Sequence, residues 1–360
     1  MRHGVVIAGG GLAAQRCAEA LRRKGYDGPM RMVCAEPHPP YDRPPLSKEL
    51  LAGACGSADL AFRPDAWYAD HDVRLELGRP AIALRPRERA LVLERGATLN
   101  YDQLLVATGS RPRRLAALAG NRDVHVLRSL DDALRLRGAL MPGARLAVVG
   151  AGFVGQEVAA TARRLGVEVT LIEAAPLPLV HVLGARLARW LAGMHRDEGV
   201  RVLLDARVER RRGQALELDD GRRVPADAVL VAVGVEPATK WLPKGWLEAP
   251  AVHAAGDATG GQHWDAAARQ GVAAAHRMLG VAPAAPPPPS FWSDQYGVRL
   301  QLVGDTTGHD AFAVDGDPAA RDFHAVFHRA GRPVAGLAVN RPHELPRLRR
   351  LLSDQERQAA

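Results

Sequence analysis

Two glycine-rich motifs have the clearest chemical meaning in this 360-residue chain. The first follows an apolar run at residues 5–8, precedes a helical pattern, and reads Gly9-Gly10-Gly11-Leu12-Ala13-Ala14. A second strand is predicted at residues 30–35 and ends in Glu36. In a strand–turn–helix, Gly9 allows the tight turn, Gly11 lets a pyrophosphate approach the backbone, and Ala14 keeps helix and strand close. The helix N-terminus would bind phosphates, and Glu36 would accept hydrogen bonds from ribose hydroxyls.

The same pattern returns in the middle of the chain. An apolar run at 146–149 leads into a second motif, which reads Gly150-Ala151-Gly152-Phe153-Val154-Gly155. The next run, 167–172, ends in Glu173. One such motif is unspecific, because glycines also mark simple turns. Two copies, each closed by an acid, predict two dinucleotide sites, and two Rossmann-like units without nucleotide are the alternative.

Two dinucleotide sites in one chain favour a flavin and a nicotinamide that work together. The carboxylate of Glu173 suits a ribose 2′-hydroxyl and repels a 2′-phosphate. We therefore expect FAD and NADH as cofactors, with NADPH disfavoured.

Composition excludes several other classes of protein. No apolar run reaches the ~20 residues that span a bilayer, and no signal peptide precedes the first strand, so we expect a cytoplasmic protein without membrane segments. The net charge is +8, but the basic residues form no long run with interleaved aromatics, which argues against nucleic-acid binding. Cys17, Cys34 and Cys55 have no paired spacing, so neither a metal site nor a redox disulfide is expected. The oligomeric state stays open.

Several further segments carry a family resemblance. They lie at residues 39–48, 101–112, 150–157, 254–257, 291–295 and 339–342. With the first motif, they make the chain resemble the FAD-dependent pyridine nucleotide oxidoreductases. Within that family it is similar to the ferredoxin and rubredoxin reductases that serve Rieske oxygenases and bacterial cytochromes P450.

The resemblance implies an α/β fold with two Rossmann-like dinucleotide-binding domains, as in glutathione reductase, and a small α+β C-terminal domain. Residues 1–113 and 240–286 would form the FAD-binding domain, 114–239 the NADH-binding domain, and 287–360 the C-terminal domain. Residues 282–289, Ala-Pro-Ala-Ala-Pro-Pro-Pro-Pro, are a stiff linker by composition. Short strands are expected at 311–314 and 323–328.

The resemblance also implies catalytic roles for Lys48 and Glu157. A lysine near the flavin ring would stabilise the negative charge that builds up as hydride arrives. Glu157 would orient Lys48 and help to position the nicotinamide. The alternatives are a surface-loop lysine, and a first-turn glutamate that only complements the helix dipole.

Other residues are expected near the cofactors by the same resemblance. Asp257, which follows a strand expected at residues 252–256, would bind the ribityl chain, or alternatively cap the next helix. Trp264 and Trp292 would lie by the isoalloxazine, with Trp292 where an iron–sulfur partner docks, although core packing is the alternative for both. The remaining implied contacts are Arg43, Ala107, Thr108, Gly109, Arg128, Gly234 and Gly256.

Two departures from the family bear on function. The loop at residues 45–48 reads Pro-Leu-Ser-Lys, where disulfide reductases of the family carry cysteines. Electrons therefore have no thiol acceptor in this loop. The passage from Pro237 to Asp257 is shorter than in similar proteins, and Ala238 stands where the family commonly has asparagine.

The predicted function is transfer of electrons from NADH through FAD to an iron–sulfur ferredoxin that serves an oxygenase. The net positive charge of the chain suits an acidic ferredoxin. One alternative is reduction of a small acceptor such as a quinone, dioxygen or a metabolite. Another is a nucleotide-sensing interaction protein without turnover.

Overall fold

The computed structural model describes residues 3–261 and 263–359, with side chains up to residue 353. The strands are β1 (Val5–Ala8), β2 (Met30–Val33), β3 (Val73–Glu76), β4 (Ala81–Arg85), β5 (Ala90–Leu93), β6 (Thr98–Asn100), β7 (Gln103–Val106), β8 (Ser110–Pro112), β9 (Val124–His125), β10 (Arg145–Val149), β11 (Glu168–Ile172), β12 (Arg201–Leu203), β13 (Val208–Arg212), β14 (Ala215–Leu218), β15 (Arg223–Pro225), β16 (Ala228–Val231), β17 (Val235–Pro237), β18 (Val252–Ala254), β19 (Ser290–Gln295), β20 (Val298–Gly304), β21 (Ala311–Asp317), β22 (Asp322–Arg329) and β23 (Arg332–Val339). The helices are α1 (Leu12–Arg23), α2 (Asp65–Asp70), α3 (Leu130–Ala139), α4 (Phe153–Arg164), α5 (Val180–Asp197), α6 (Trp264–Met278) and α7 (Leu345–Ala359).

The chain groups into two compact units. The first unit comprises Met1–Arg43, Ser57–Arg111 and Glu236–Pro286, and the second comprises Pro44–Gly56, Pro112–Val235 and Pro287–Ala360. These two compact units do not test the predicted division into three domains, which stays a prediction. The outer bounds of that division, residues 1 and 360, lie outside the described residues.

The first unit is built on a parallel sheet with the order β18-β7-β1-β2-β3. β1 pairs in parallel with β2 on one side and with β7 on the other. All four residues of β1 are buried, as expected for a strand that is covered on both faces. In such sheets, ligands bind beyond the carboxyl ends of the strands where the strand order reverses, which here is the end of β1 and the start of α1. A small antiparallel sheet, β4-β5-β6, completes this unit.

The second unit repeats this arrangement with the order β12-β11-β10-β16-β9. β10 lies between β11 and β16 and pairs in parallel with both. The antiparallel strands β13, β14 and β15 add a three-stranded sheet.

The C-terminal part of the second unit is an antiparallel sheet with the order β19-β20-β23-β22-β21. Alternate residues of β22, namely Phe323, Ala325 and Phe327, are buried in one apolar cluster with Leu187 and Leu191 of α5. Leu348 and Leu352 of α7 pack with Val303 and Ala338 of the same sheet. The predicted fold class, two Rossmann-like units and a small α+β part, is confirmed.

Three strands differ from their predictions by two or more residues at one end. The strand predicted at 30–35 ends at Val33, and the one predicted at 252–256 ends at Ala254, where a single 3₁₀ turn, Gly256–Thr259, follows. Gly256 has a φ of +72°, which is incompatible with extended strand. The strand predicted at 311–314 continues to Asp317. Within the described residues, no helix is both long and apolar enough to cross a bilayer.

Candidate active site

The first glycine motif forms a tight turn between β1 and α1. Gly9 has a φ of +136°, and a Cβ placed on it would lie 2.1 Å from the carbonyl oxygen of Ala107. Gly11 is the N-cap of α1; in the described part of the chain it has no side-chain cap, and a Cβ placed on it would meet no atom within 4 Å. The N-cap of α1 therefore has no side chain of its own to bond the first N–H groups of the helix, and the space beside Gly11 is open. This arrangement fits a phosphate of a dinucleotide.

Glu36 lies beyond the carboxyl end of β2 and is held by two neighbours. The hydroxyl of Tyr41 donates to Glu36 Oε2 at 2.5 Å, and Arg43 Nη2 donates to Oε1 at 2.8 Å. The guanidinium of Arg43 also lies over the ring of Tyr41. Each carboxylate oxygen has a second lone pair, so Glu36 can still accept a ribose hydroxyl. Sequence reasoning missed Tyr41, although it stands within the segment at residues 39–48.

The ends of β7 and β18 bring a further polar group together in the first unit. Ser110 Oγ donates to Asp257 Oδ2 at 2.8 Å, and Thr108 Oγ1 donates to the carbonyl of Ala238 at 2.9 Å. The N–H of Gly256 donates to Gln270 Oε1 at 2.7 Å. Asp257 belongs to the 3₁₀ turn and α6 begins only at Trp264, so the alternative that Asp257 caps this helix is wrong.

Three more predicted residues lie in the same unit. Ala107 is buried, and Gly109 has a φ of +71°. Trp264 Nε1 donates to Asp42 Oδ1 at 2.7 Å. This bond ties the start of α6 to the segment that contains Arg43.

The second glycine motif makes a similar tight turn. Gly150 has a φ of +101°, and a Cβ on Gly155 would lie 2.1 Å from the carbonyl oxygen of Gly150. Gly152, the N-cap of α4, has no side-chain cap and no atom near its Cβ position among the described residues. The carboxylate of Glu173 accepts the N–H of Ala151 at 2.7 Å. The motif thus also presents free N–H groups beside open space, which fits a second dinucleotide phosphate.

The other predicted residues of this unit lie on several of its elements. The ring of Phe153 lies edge-on to Phe291, with centroids 4.6 Å apart, and Val154 is exposed. Gly234 has a φ of +92°. The N–H of Arg128 donates to Asp132, and Trp292 is half-buried on β19 with the guanidinium of Arg299 5.9 Å from its ring centroid.

Lys48 and Glu157 form a buried ion pair in the second unit. Lys48 Nζ lies 3.1 Å from Glu157 Oε2, and the two residues are 8% and 6% exposed. Lys48 also donates to the carbonyl of Pro44 at 3.1 Å. The alternative of a surface-loop lysine is therefore wrong. Glu157 is the fifth residue of α4, beyond its first turn, so the alternative of a first-turn acid is wrong as well.

Two serine hydroxyls complete the environment of Glu157. Ser47 Oγ lies 2.5 Å from Oε2, and Ser293 Oγ lies 2.7 Å from Oε1. Thr161 Oγ1 donates to the carbonyl of Ser47 at 2.8 Å, which fastens the segment of Lys48 to α4. A buried ion pair is stabilised only when its remaining lone pairs are bonded, and these hydroxyls supply the bonds. Sequence reasoning missed Ser47 and Ser293.

A second buried polar chain starts one residue earlier on α4. Gln156 Nε2 donates to the carbonyl of Ala151 at 2.7 Å, and Gln156 Oε1 lies 3.0 Å from His195 Nε2. Because Gln156 Oε1 can only accept, His195 Nε2 carries the proton. His195 Nδ1 then accepts from the hydroxyl of Tyr296 at 2.8 Å. Burial lowers the pKa of His195 to about 4, so the imidazole is neutral at pH 7.

The comparisons with known proteins agree with this geometry. The family model described as "Pyridine nucleotide-disulphide oxidoreductase" matches residues 3–271, and the model described as "Reductase C-terminal" matches residues 290–360. The chain belongs to the pyridine nucleotide-disulphide oxidoreductase family. The resemblance stated from the sequence is confirmed.

Curated members of this family are similar over most of their length. The ferredoxin–NAD(+) reductase component of the biphenyl dioxygenase system of Paraburkholderia xenovorans (strain LB400) is 40% identical, over 87% of this chain and 84% of the relative. The ferredoxin reductase component of chlorobenzene dioxygenase of Cupriavidus sp. (strain PS12) is 36% identical, over 97% and 92%. That second alignment runs over 381 positions, more than the 360 residues of this chain, so the chain lacks segments that the relative has.

A solved structure shows the same fold. The covalent putidaredoxin reductase–putidaredoxin complex matches with a TM-score of 0.91 and 30% identity, over 98% of this chain and 93% of the other. The family and these relatives confirm an FAD-dependent NAD(P)H oxidoreductase. The individual residue roles stay predictions.

Proposed function

We propose that this protein is a FAD-dependent NADH:ferredoxin oxidoreductase that passes electrons from NADH through flavin to an iron–sulfur protein serving an oxygenase. The observation that carries the proposal is the buried ion pair between Lys48 and Glu157. Glu157 lies on α4, the helix that follows the second of the two glycine-rich turns. The relatives named above, which are reductase components of dioxygenase systems, support it.

We assign FAD to the first unit and NADH to the second. For FAD, the fit rests on the open N-terminus of α1, the carboxylate of Glu36, and the polar group around Asp257. For NADH, it rests on the open N-terminus of α4 and on Glu173, whose carboxylate suits the 2′-hydroxyl of NADH. Bound FAD supplies a ring that accepts hydride and releases electrons one at a time.

Lys48 acts as a fixed positive charge in this proposal. Among the described residues, Lys48 Nζ donates to Glu157 and to the carbonyl of Pro44, so the ammonium has a defined position and its third hydrogen can serve a further acceptor. A preorganised donor stabilises developing negative charge without reorganisation. Glu157 holds the Lys48 ammonium in position, and its carboxylate neutralises the positive charge of Lys48 while no negative charge develops on the flavin.

The cysteines support an acceptor outside the chain. Cys17 and Cys34 are buried, and burial raises the pKa of both thiols to about 12. Thiols with such a pKa are not thiolates at pH 7 and do not attack disulfides. Disulfide reduction by this chain is therefore not proposed.

An acidic ferredoxin is the partner that the charge favours. The net charge of +8 speeds the encounter with an acidic protein, and Trp292 is half-buried on β19, where we propose that the iron–sulfur protein docks. We place the enzyme in the cytoplasm, where NADH is supplied.

The test follows reoxidation of the flavin. The FAD-loaded protein is reduced with NADH without air and mixed with the oxidised ferredoxin encoded beside an oxygenase, or with a quinone. The proposal expects the ferredoxin to accelerate reoxidation at least about tenfold over buffer. Acceleration by the quinone alone would indicate a small-acceptor enzyme, and a stable NADH complex without turnover would indicate a nucleotide sensor. A preparation that refuses FAD contradicts all three.

A further inference from the structure

We infer that Ser293, on β19 of the C-terminal sheet, is a positioning residue that fixes the carboxylate of Glu157. Through this bond the C-terminal sheet holds the Lys48–Glu157 pair in its working geometry. The inference rests on the proposed role of that pair and adds to it a residue from a distant part of the sequence.

The direction of the Ser293 hydrogen bond is set by its neighbour. Gln295 Nε2 lies 3.1 Å from Ser293 Oγ, and an amide N–H can only donate. The oxygen of Ser293 therefore accepts from Gln295, and the hydroxyl hydrogen is directed to Glu157 Oε1 at 2.7 Å. Ser293 and Gln295 are two residues apart on one strand, so both side chains leave β19 on the same face.

The carboxylate of Glu157 needs this contact because its other two donors share one oxygen. Ser47 and Lys48 both bind Oε2. With those bonds alone the carboxylate can swing around Oε2, since the terminal torsion of a glutamate has a broad minimum. Ser293 is the donor on Oε1 among the described residues, and a second attachment point removes that freedom.

Simple packing does not account for polar residues at these positions. Ser293 and Gln295 are 0% and 1% exposed, and their register partners on β20 are Leu300 and Val298. Burying a hydroxyl and an amide costs free energy unless they are hydrogen-bonded, and apolar residues would fill the same space without that cost. The hydrogen bond from Ser293 to Glu157 explains why a polar residue is buried at this position.

The test is a double-mutant cycle on the FAD-loaded protein, with flavin reduction by NADH measured without air. Ser293→Ala is expected to slow reduction about tenfold at saturating NADH with little change in the NADH concentration required. Because Ser293 acts through Glu157, Ser293→Ala added to Glu157→Gln is expected to cost less than twofold more. Ser290→Ala on the same strand is the control, and its rate is expected to match wild type. Full, multiplicative effects in the double variant, or a wild-type rate for Ser293→Ala, would overturn the inference.

A second measurement does not depend on activity. The chain has four lysines, so acetylation of Lys48 is readily followed by peptide mass spectrometry against exposed Lys24. Loosening of the pair in Ser293→Ala is expected to raise the acetylation rate of Lys48 at least about twofold, and Ser290→Ala is expected to leave it unchanged. An unchanged rate in Ser293→Ala contradicts the inference.

The two proposals fail in different ways. If wild type reduces no ferredoxin, the proposed function fails, and the acetylation rates still decide whether Ser293 holds the pair. If wild type reduces ferredoxin and Glu157→Gln slows it while Ser293→Ala does not, the inference alone fails.

Discussion

The two glycine-rich turns differ in the second of the two residues that follow them. Gln15 and Arg16 follow the first motif, and Gln156 and Glu157 follow the second. Both glutamines are fully buried. Arg16, however, has a 32% exposed side chain and pairs with Glu19 on its own helix, whereas Glu157 is buried and pairs with Lys48.

What covers each helix explains this difference. α1 lies against α6 so closely that a Cβ on Gly271 would be 2.2 Å from the carbonyl oxygen of Ala13. α4 instead lies against β19, and its polar side chains bond to the segment of Ser47 and Lys48 and to His195 of α5. The same backbone motif therefore supports a packing interface in one unit and a buried charged site in the other.

The largest expected effect is on the rate of flavin reduction, and it distinguishes Glu157 from Arg16, which holds the equivalent position after the first glycine motif. The amide of Glu157→Gln has one acceptor oxygen, so its NH₂ must face donors on one side, and we expect flavin reduction by NADH to slow about a hundredfold. Arg16→Gln changes a half-buried ion pair within α1 and is expected to stay within twofold of wild type. Anaerobic stopped-flow absorbance of the flavin measures both rates. Equal rates for the two variants would remove Glu157 from the mechanism.

The second prediction compares the partners of the two buried glutamines by their effect on the pH dependence of stability. Gln156 bonds to His195, whereas Gln15 accepts from the hydroxyl of Tyr68 at 2.9 Å. The pKa of His195 is about 4 in the folded protein, against about 6.5 in an unfolded chain. As the pH falls, the unfolded chain binds a proton first, so the contribution of His195 to stability is complete above about pH 6.5 and is lost as the pH falls towards 4.

His195→Gln is expected to remove this dependence. The free energy of unfolding of wild type should fall by about 2 kcal/mol more between pH 7 and pH 5 than that of the variant. Urea unfolding at the two pH values measures the difference. Tyr68→Phe is the matched control, because burial raises the pKa of Tyr68 far above this range. A pH dependence that is the same in His195→Gln and wild type would contradict the neutral, buried imidazole.

The smallest expected effect tests which turn binds which dinucleotide. Glu173→Ala removes one charged acceptor for ribose and is expected to weaken NADH binding about tenfold while FAD stays bound. Glu36→Ala is expected to loosen FAD by a similar factor and leave NADH binding unchanged. Dissociation constants for both ligands, measured on both variants, decide the assignment. The reverse pattern would exchange the cofactors between the units.

The glycine turns and the acids after them were predictable because their geometry is local. Gly9 and Gly150 adopt positive φ beside a neighbouring strand, and the residues that need this lie within one strand–turn–helix. The two copies of this pattern predicted two Rossmann-like units, and the family resemblance implied the small C-terminal domain. The importance of Lys48 and Glu157 came from the family resemblance, since nothing in their spacing predicts that residues 109 apart form a pair.

The sequence by itself determined two parallel sheets, two turns open to a phosphate, and an acid after each. Only the tertiary structure decided that Ser293, 136 residues from Glu157, donates to its carboxylate, and that His195 and Tyr296 support Gln156. A serine on a strand and a histidine on a helix have no pattern of their own. Their partners are set by which helix the strand packs on, and side-chain hydrogen bonds form only after that packing has been chosen.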